Sequence, residues 1–156
     1  MRLAEALTAR ADLQRRIEQL RARIVANARY QEGEEPSEDA NGLLAEAEVD
    51  LAALRDLIRR INATNSTLAL GADGTMTDAL ATRDVLRMQH SVLTDAAAAA
   101  SGSGVAFGGR QMRSELRQIS ALPVAELRAK ADVVARELRE LDNRIQQANW
   151  SNALEE

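Results

Sequence analysis

Residues 123–150, PVAELRAKADVVARELRELDNRIQQANW, decide the fold. Within them Val124, Leu127, Ala131, Val134, Leu138, Leu141, Ile145 and Ala148 recur at strictly alternating steps of three and four. Apolar side chains at that spacing line one side of an α-helix. Pro123 suits the first turn, where its missing N–H costs nothing. A helix of this length spans on the order of 40 Å, and its narrow Leu, Ile, Val and Ala seam is that of a helix packed lengthwise against others.

Three further stretches repeat the pattern. Helix 1 is expected from about Arg2 to Tyr30, on Leu3, Leu7, Leu13, Ile17, Leu20 and Ile24, with Arg10 interrupting the seam. Helix 2 is expected from about Leu43 to Asn65. Its seam is Leu44, Ala47, Leu51, Leu54, Ile58 and Ile61, widened by Leu43 and Leu57. Helix 3 is expected from about Asp78 to Ala100, with Leu86, Leu93 and Ala97 on one face and Val85, Met88 and Val92 beside it. The expected fold is therefore all-α, an antiparallel up-down four-helix bundle in a single domain spanning 1–156.

Composition agrees. Of 156 residues, 46% are hydrophobic but only 2% aromatic, so the core must be aliphatic. Glycine and proline are few, and Ala, Leu, Glu and Arg abound, as helices prefer.

The connections differ from one another. Gln31–Gly42 is an acidic linker with Glu32, Glu34, Glu35, Glu38 and Asp39, and it lacks the ligand spacing of a calcium loop. Between helices 2 and 3, Thr67–Thr77 alternates Leu68 and Leu70 with smaller residues and carries Asp73-Gly74. That predicts a short β-hairpin, with Thr77 or Asp78 then capping helix 3. Ser101–Gln111 is Gly- and Ser-rich, and Met112–Ile119 reads equally well as strand or helix.

Several function classes are unsupported. The chain has no cysteine and a net charge of −4, so thiol chemistry is excluded and general nucleic-acid binding is not expected. There is no window of roughly 18 apolar residues and no signal-peptide pattern, so the expected location is cytoplasmic. The glycines at 102, 104, 108 and 109 fit neither a phosphate-loop nor a dinucleotide motif. His90 is the only histidine and Arg87 precedes it by three, so the Glu-x-x-His pairs of di-iron bundles are missing. No catalytic motif, cofactor or metal site emerges.

Chain direction singles out one end of the bundle. Glu5 and Arg10, Asn62 and Asn65, Arg83 and Asp84, and Asn149 and Trp150 all fall near helix ends that meet at one pole of an up-down bundle. Such a cluster is either a polar plug that fixes helix register, as a seam Asn does in coiled coils, or a small-molecule site.

Four strings then show a resemblance: LAEALTARADLQRRIEQLRARI, LIRRINATNS, DALATRDVLRMQHSVL and ARELRELDNRIQQANW. Together they resemble a family of small bacterial proteins labelled septicolysin-like. The resemblance covers nearly the whole chain, least of all Ser101–Gln111, and is most specific at Ile61–Asn65 and Leu141–Trp150. It carries over Asn62, Asn65, Arg83, Asp84, Asp142, Asn149 and Trp150 and implies no defined activity. Its label implies a membrane-active protein, a weaker alternative here.

The leading expectation is a non-enzymatic, self-associating structural or protein-interaction protein. Long seams poor in aromatics ask for a second copy, so a homo-oligomer is expected: a dimer, or a hexamer built from dimers or trimers. The alternative is a small-molecule-binding protein or enzyme with its site at the polar pole.

Overall fold

The computed structural model describes residues 1–102 and 118–155. Among them are four α-helices, α1 (Leu3–Asn27), α2 (Ala40–Thr67), α3 (Met76–Ala100) and α4 (Val124–Ser151), and a single 3₁₀ turn, Gly71–Asp73. The chain divides into two compact units. The first holds Met1–Ala69 and Gln146–Glu156, and the second holds Leu70–Ile145.

The first unit is built on an antiparallel α1–α2 hairpin. Leu20 packs with Leu43 and Ala47, and Ile24 extends that cluster. Polar pairs trace the antiparallel course. Arg16 reaches Glu46 and Asp50, and Arg23 binds Glu38 nearer the turn. Asp39 caps α2 by accepting the Asn41 N–H at 3.1 Å. Glu38, in the acidic linker, is turned onto α1, where Arg23 Nε donates to it at 3.0 Å and Asn27 Oδ1 accepts its backbone N–H.

The buried face of α2 is Leu43, Ala47, Asp50, Leu57, Ile61 and Thr64. The expected seam placed Leu44 and Leu51 there, yet both are exposed. Ala47 and Ile61 keep their place, while Leu43, Asp50 and Leu57 stand one residue before Leu44, Leu51 and Ile58. Leu43/Leu44 and Leu57/Ile58 are adjacent apolar pairs, so periodicity alone leaves two overlapping stripes whose centres lie roughly 60° apart at about 100° per residue. Contact with α1 selects the first.

The tail closes this unit. Leu3 N–H donates to the Asn152 carbonyl at 3.0 Å and Leu154 N–H to the Met1 carbonyl at 2.9 Å, an isolated antiparallel bridge between Arg2 and Ala153. Leu154 is buried. Beyond it, Glu155 N–H donates to Thr64 Oγ1 at 2.9 Å, and Arg60 Nε donates to the Glu155 carbonyl at 2.9 Å.

The second unit pairs α3 with α4 in antiparallel fashion. Arg87 lies 3.5 Å from Asp142. Arg144 Nη2 donates to Asp73 Oδ1 at 3.0 Å. Met76, Ala79 and Ala97 of α3, and Ala131, Val134, Leu141 and Ile145 of α4, are buried. The α4 residues belong to the heptad seam read from the sequence.

Two expectations fail in the α2–α3 connection. The β-hairpin is not formed: α2 runs on to Thr67 and α3 begins at Met76, leaving Leu68–Thr75, too little chain for two strands of usual length. A 3₁₀ turn closes it instead, with Leu70 N–H donating to the Gly74 carbonyl at 2.7 Å. The cap of α3 is Thr75, not Thr77 or Asp78. Thr75 Oγ1 accepts the Asp78 N–H at 3.2 Å, and Asp78 accepts the Thr75 N–H at 2.8 Å, a capping box. Gly74 permits this turn. Its φ is +79°, and a Cβ there would lie 2.7 Å from Asp78 Oδ2. The strand-or-helix question over Met112–Ile119 lies largely outside the described residues.

Candidate functional site

The residues singled out by chain direction divide between the units. In the first unit, Glu5 accepts the Arg2 N–H at 2.7 Å, and the Arg2 guanidinium donates to the Trp150 carbonyl. The first bond caps the start of α1, and the second ties it to the last turn of α4. Arg10 and Asn65 are half-buried and Asn62 is exposed. Asn149 is buried, 6% exposed, whereas Trp150 beside it is 56% exposed.

In the second unit, Arg83 Nη2 donates to Asp84 at 3.1 Å, and Arg87 stands 3.8 Å from the same carboxylate. Arg83 is mostly covered and Asp84 mostly exposed. Asp142, carried over by resemblance, pairs with Arg87.

Two features carry chemistry. The first is a shallow groove of about 390 Å³ between the start of α1 and the last turn of α4. Ala4, Leu7, Thr8 and Ala11 line one side; Gln146, Asn149 and Trp150 line the other. An Asp12–Arg15 ion pair also borders it. The Asn149 carboxamide makes no hydrogen bond among the described residues, although the residue is buried. The only side-chain polar atom sealed from solvent without a partner among the described residues is Asp50 Oδ2. The Asn149 carboxamide therefore reaches the groove, where a ligand that both donates and accepts can replace water. Chain direction marked Asn149 and Trp150. It did not mark Ala4, Thr8 or Ala11, because a small residue on a helix carries no polar signal.

The second feature is an apolar face on α3. Ala81, Val85, Met88 and Val92 are all exposed, the last three at 60%, 61% and 67%. They follow the same four-three-four steps as a core seam. They lie roughly 130° around the helix from Leu86, Leu93 and Ala97, at about 100° per residue. The sequence reading placed Val85, Met88 and Val92 beside the core face; the structure separates them as a face of their own. No group of three His, Asp or Glu side chains placed to hold a metal ion occurs among the described residues.

Among the described residues these features define two helical units with an open apolar helix face and an amide-floored groove. The chain belongs to a family of unknown function (DUF6847), whose pattern matches residues 10–154. It is similar to the crystal structure of a functionally unknown conserved protein from Corynebacterium diphtheriae, at 37% identity over 99% of both chains and a TM-score of 0.90. No curated protein matches the chain.

The resemblance to septicolysin-like proteins is corrected by these matches, neither of which carries that label. The strings that suggested it are heptad-patterned helix rich in Ala, Leu and Arg, a texture that unrelated helical proteins share. The membrane-active alternative rested on that label. No described helix is long and apolar enough to cross a membrane.

Proposed function

We propose that this protein is a non-enzymatic, self-associating structural or protein-interaction protein of the cytoplasm, with a homo-oligomer as its working form. The observation that supports this reading is the exposed Ala81–Val85–Met88–Val92 stripe of α3. Scattered exposed apolar residues need no explanation, but a contiguous row at heptad spacing asks for a helix to cover it. The antiparallel up-down bundle is the architecture we propose for the folded chain, supported by the four seams of the sequence. Light scattering from about 1 µM to about 1 mM tests self-association. A mass that rises above the 17.0 kDa of one chain supports it, and a monomer across the whole range rejects it.

A second reading is favoured by Asn149. A planar ligand with adjacent donor and acceptor, such as a lactam or a nucleobase edge, would match its carboxamide and stack on the exposed Trp150 indole. Trp150 is the only tryptophan, so its fluorescence reports on the groove directly. Titration with nicotinamide and with uracil should give a saturable change that Asn149→Leu abolishes without loss of fold. A linear, non-saturating response in the native protein rejects this reading.

A further inference from the structure

We propose that the start of α1 and the end of α2 form a seat for an extended peptide with a leucine followed by an acidic residue, and that the chain's own tail, residues 152–155, is its displaceable occupant. This goes beyond the self-association reading and does not depend on it. The seat lies wholly within the first unit.

The tail is held as an added strand would be. Leu3 N–H donates to the Asn152 carbonyl at 3.0 Å and Leu154 N–H to the Met1 carbonyl at 2.9 Å. These two backbone bonds recognise an extended segment whatever its side chains. The side chains then alternate, as extended chain requires. Leu154 is buried, while Ala153 and Glu155 on either side of it are exposed. Leucine is thus the side chain selected by burial. The residue after it is selected by polar groups of α2. Thr64 Oγ1 accepts the Glu155 N–H at 2.9 Å, Arg60 Nε donates to the Glu155 carbonyl at 2.9 Å, and the Thr67 hydroxyl donates to the Glu155 carboxylate.

The same contacts explain why the tail can leave. One buried leucine and a few hydrogen bonds stand against the ordering of four residues beyond α4. The Arg60 and Thr67 contacts are exposed, so water competes for them. The seat also has bonds that do not involve the tail. Thr64 Oγ1 donates to the Arg60 carbonyl at 2.9 Å within α2. The Arg2 guanidinium holds the Trp150 carbonyl, so α1 and the last turn of α4 stay joined when residues 152–155 open. A local opening of this kind needs no unfolding of the helices.

Hydrogen exchange on the native full-length chain tests the opening. Leu3 is the first residue of α1, where an N–H has no partner within the helix, so its exchange reports the tail contact alone. The Leu3, Leu154 and Glu155 amides should exchange together, at least about tenfold faster than those of Leu57 and Ile61. A single rate for both groups would mean that the tail opens only with the whole fold, which overturns the proposal. Recognition is tested with the full-length Leu154→Ala chain and the free peptide SNALEE, the sequence of residues 151–156. The peptide should slow exchange at Leu3 and change Trp150 fluorescence saturably below about 1 mM. It carries no tryptophan, so the signal is that of Trp150. The peptide SNAAEE should do neither. The native chain, its seat filled by a tethered tail at high effective concentration, should need far more SNALEE for the same response. If SNALEE leaves Leu3 exchange unchanged in the variant, or if Leu154→Ala loses its helical circular dichroism, the tail is part of the core and not an occupant. The proposal then fails while the self-association reading stands.

Discussion

Thr64 shows how one side chain can join two segments, α2 and the C-terminal tail. It is buried in the α2 seam, donates to the Arg60 carbonyl at 2.9 Å and accepts the Glu155 N–H at 2.9 Å. Thr64→Val keeps the shape and removes both bonds, so it should cost about 1 kcal/mol and lower the melting temperature by a few degrees. Hydrogen exchange should locate the loss in the tail after Leu154. Asp50 is the opposite case. It is buried on the same helix, with Arg16 Nε 3.0 Å from Oδ2, but the geometry leaves that oxygen without a hydrogen bond. A buried carboxylate held by one half-exposed partner is a poor source of stability. Paired replacement, Asp50→Leu with Arg16→Leu, should leave thermal stability unchanged or raised; a clear fall would mean the pair contributes more than its geometry suggests.

At the scale of the element, the start of α3 concentrates local chemistry in five residues, 74–78. The Thr75 backbone N–H, and then its hydroxyl, hold the Asp78 carboxyl below the usual carboxylate range. The Arg23 guanidinium does the same for Glu38 at the start of α2. A carboxyl whose folded value is lowered contributes stability that is complete above its unfolded value, about 4, and is lost as pH falls through the folded value. Melting temperature should therefore fall on the acid side of pH 4, and Asp78→Asn should flatten part of that fall. Thr75→Ala should cost about 1 kcal/mol through loss of the cap. Gly74→Ala should be worse than a surface glycine replacement, because it combines positive φ with a clash against Asp78. These effects are legible in sequence only in part. The string Thr-Met-Thr-Asp offers three polar caps, and propensity does not choose among them. The short connection to α2 does, because it fixes where the chain must turn.

For the molecule as a whole, the decisive measurement is its mass in solution. An open heptad stripe on α3 and exposed Leu44 and Leu51 on α2 are two apolar faces on different units. If pairing through α3 is the interaction that matters, Val85→Glu/Met88→Glu should abolish self-association, and Leu44→Glu/Leu51→Glu should leave it intact. Both variants should melt close to the native temperature, since the replaced side chains already face water. The reverse pattern would move the interface to α2.

The sequence by itself determined that four long segments are helical, where they run to within a few residues, and which face of α4 is buried. Steps of three and four have no other regular solution, and α4 carries one uninterrupted seam. Only the tertiary structure decided which of two adjacent stripes on α2 faces α1, because neighbouring leucines satisfy both. It also decided that Leu68–Thr75 is a capped 3₁₀ turn, since the lengths of the flanking helices set the chain available. Asn149 and Trp150 were visible as polar interruptions near a helix end, but that Asn149 is largely covered at the base of a groove and Trp150 exposed beside it depends on α1 packing against the last turn of α4. Such a contact joins residues nearly a full chain length apart, and no local pattern encodes it.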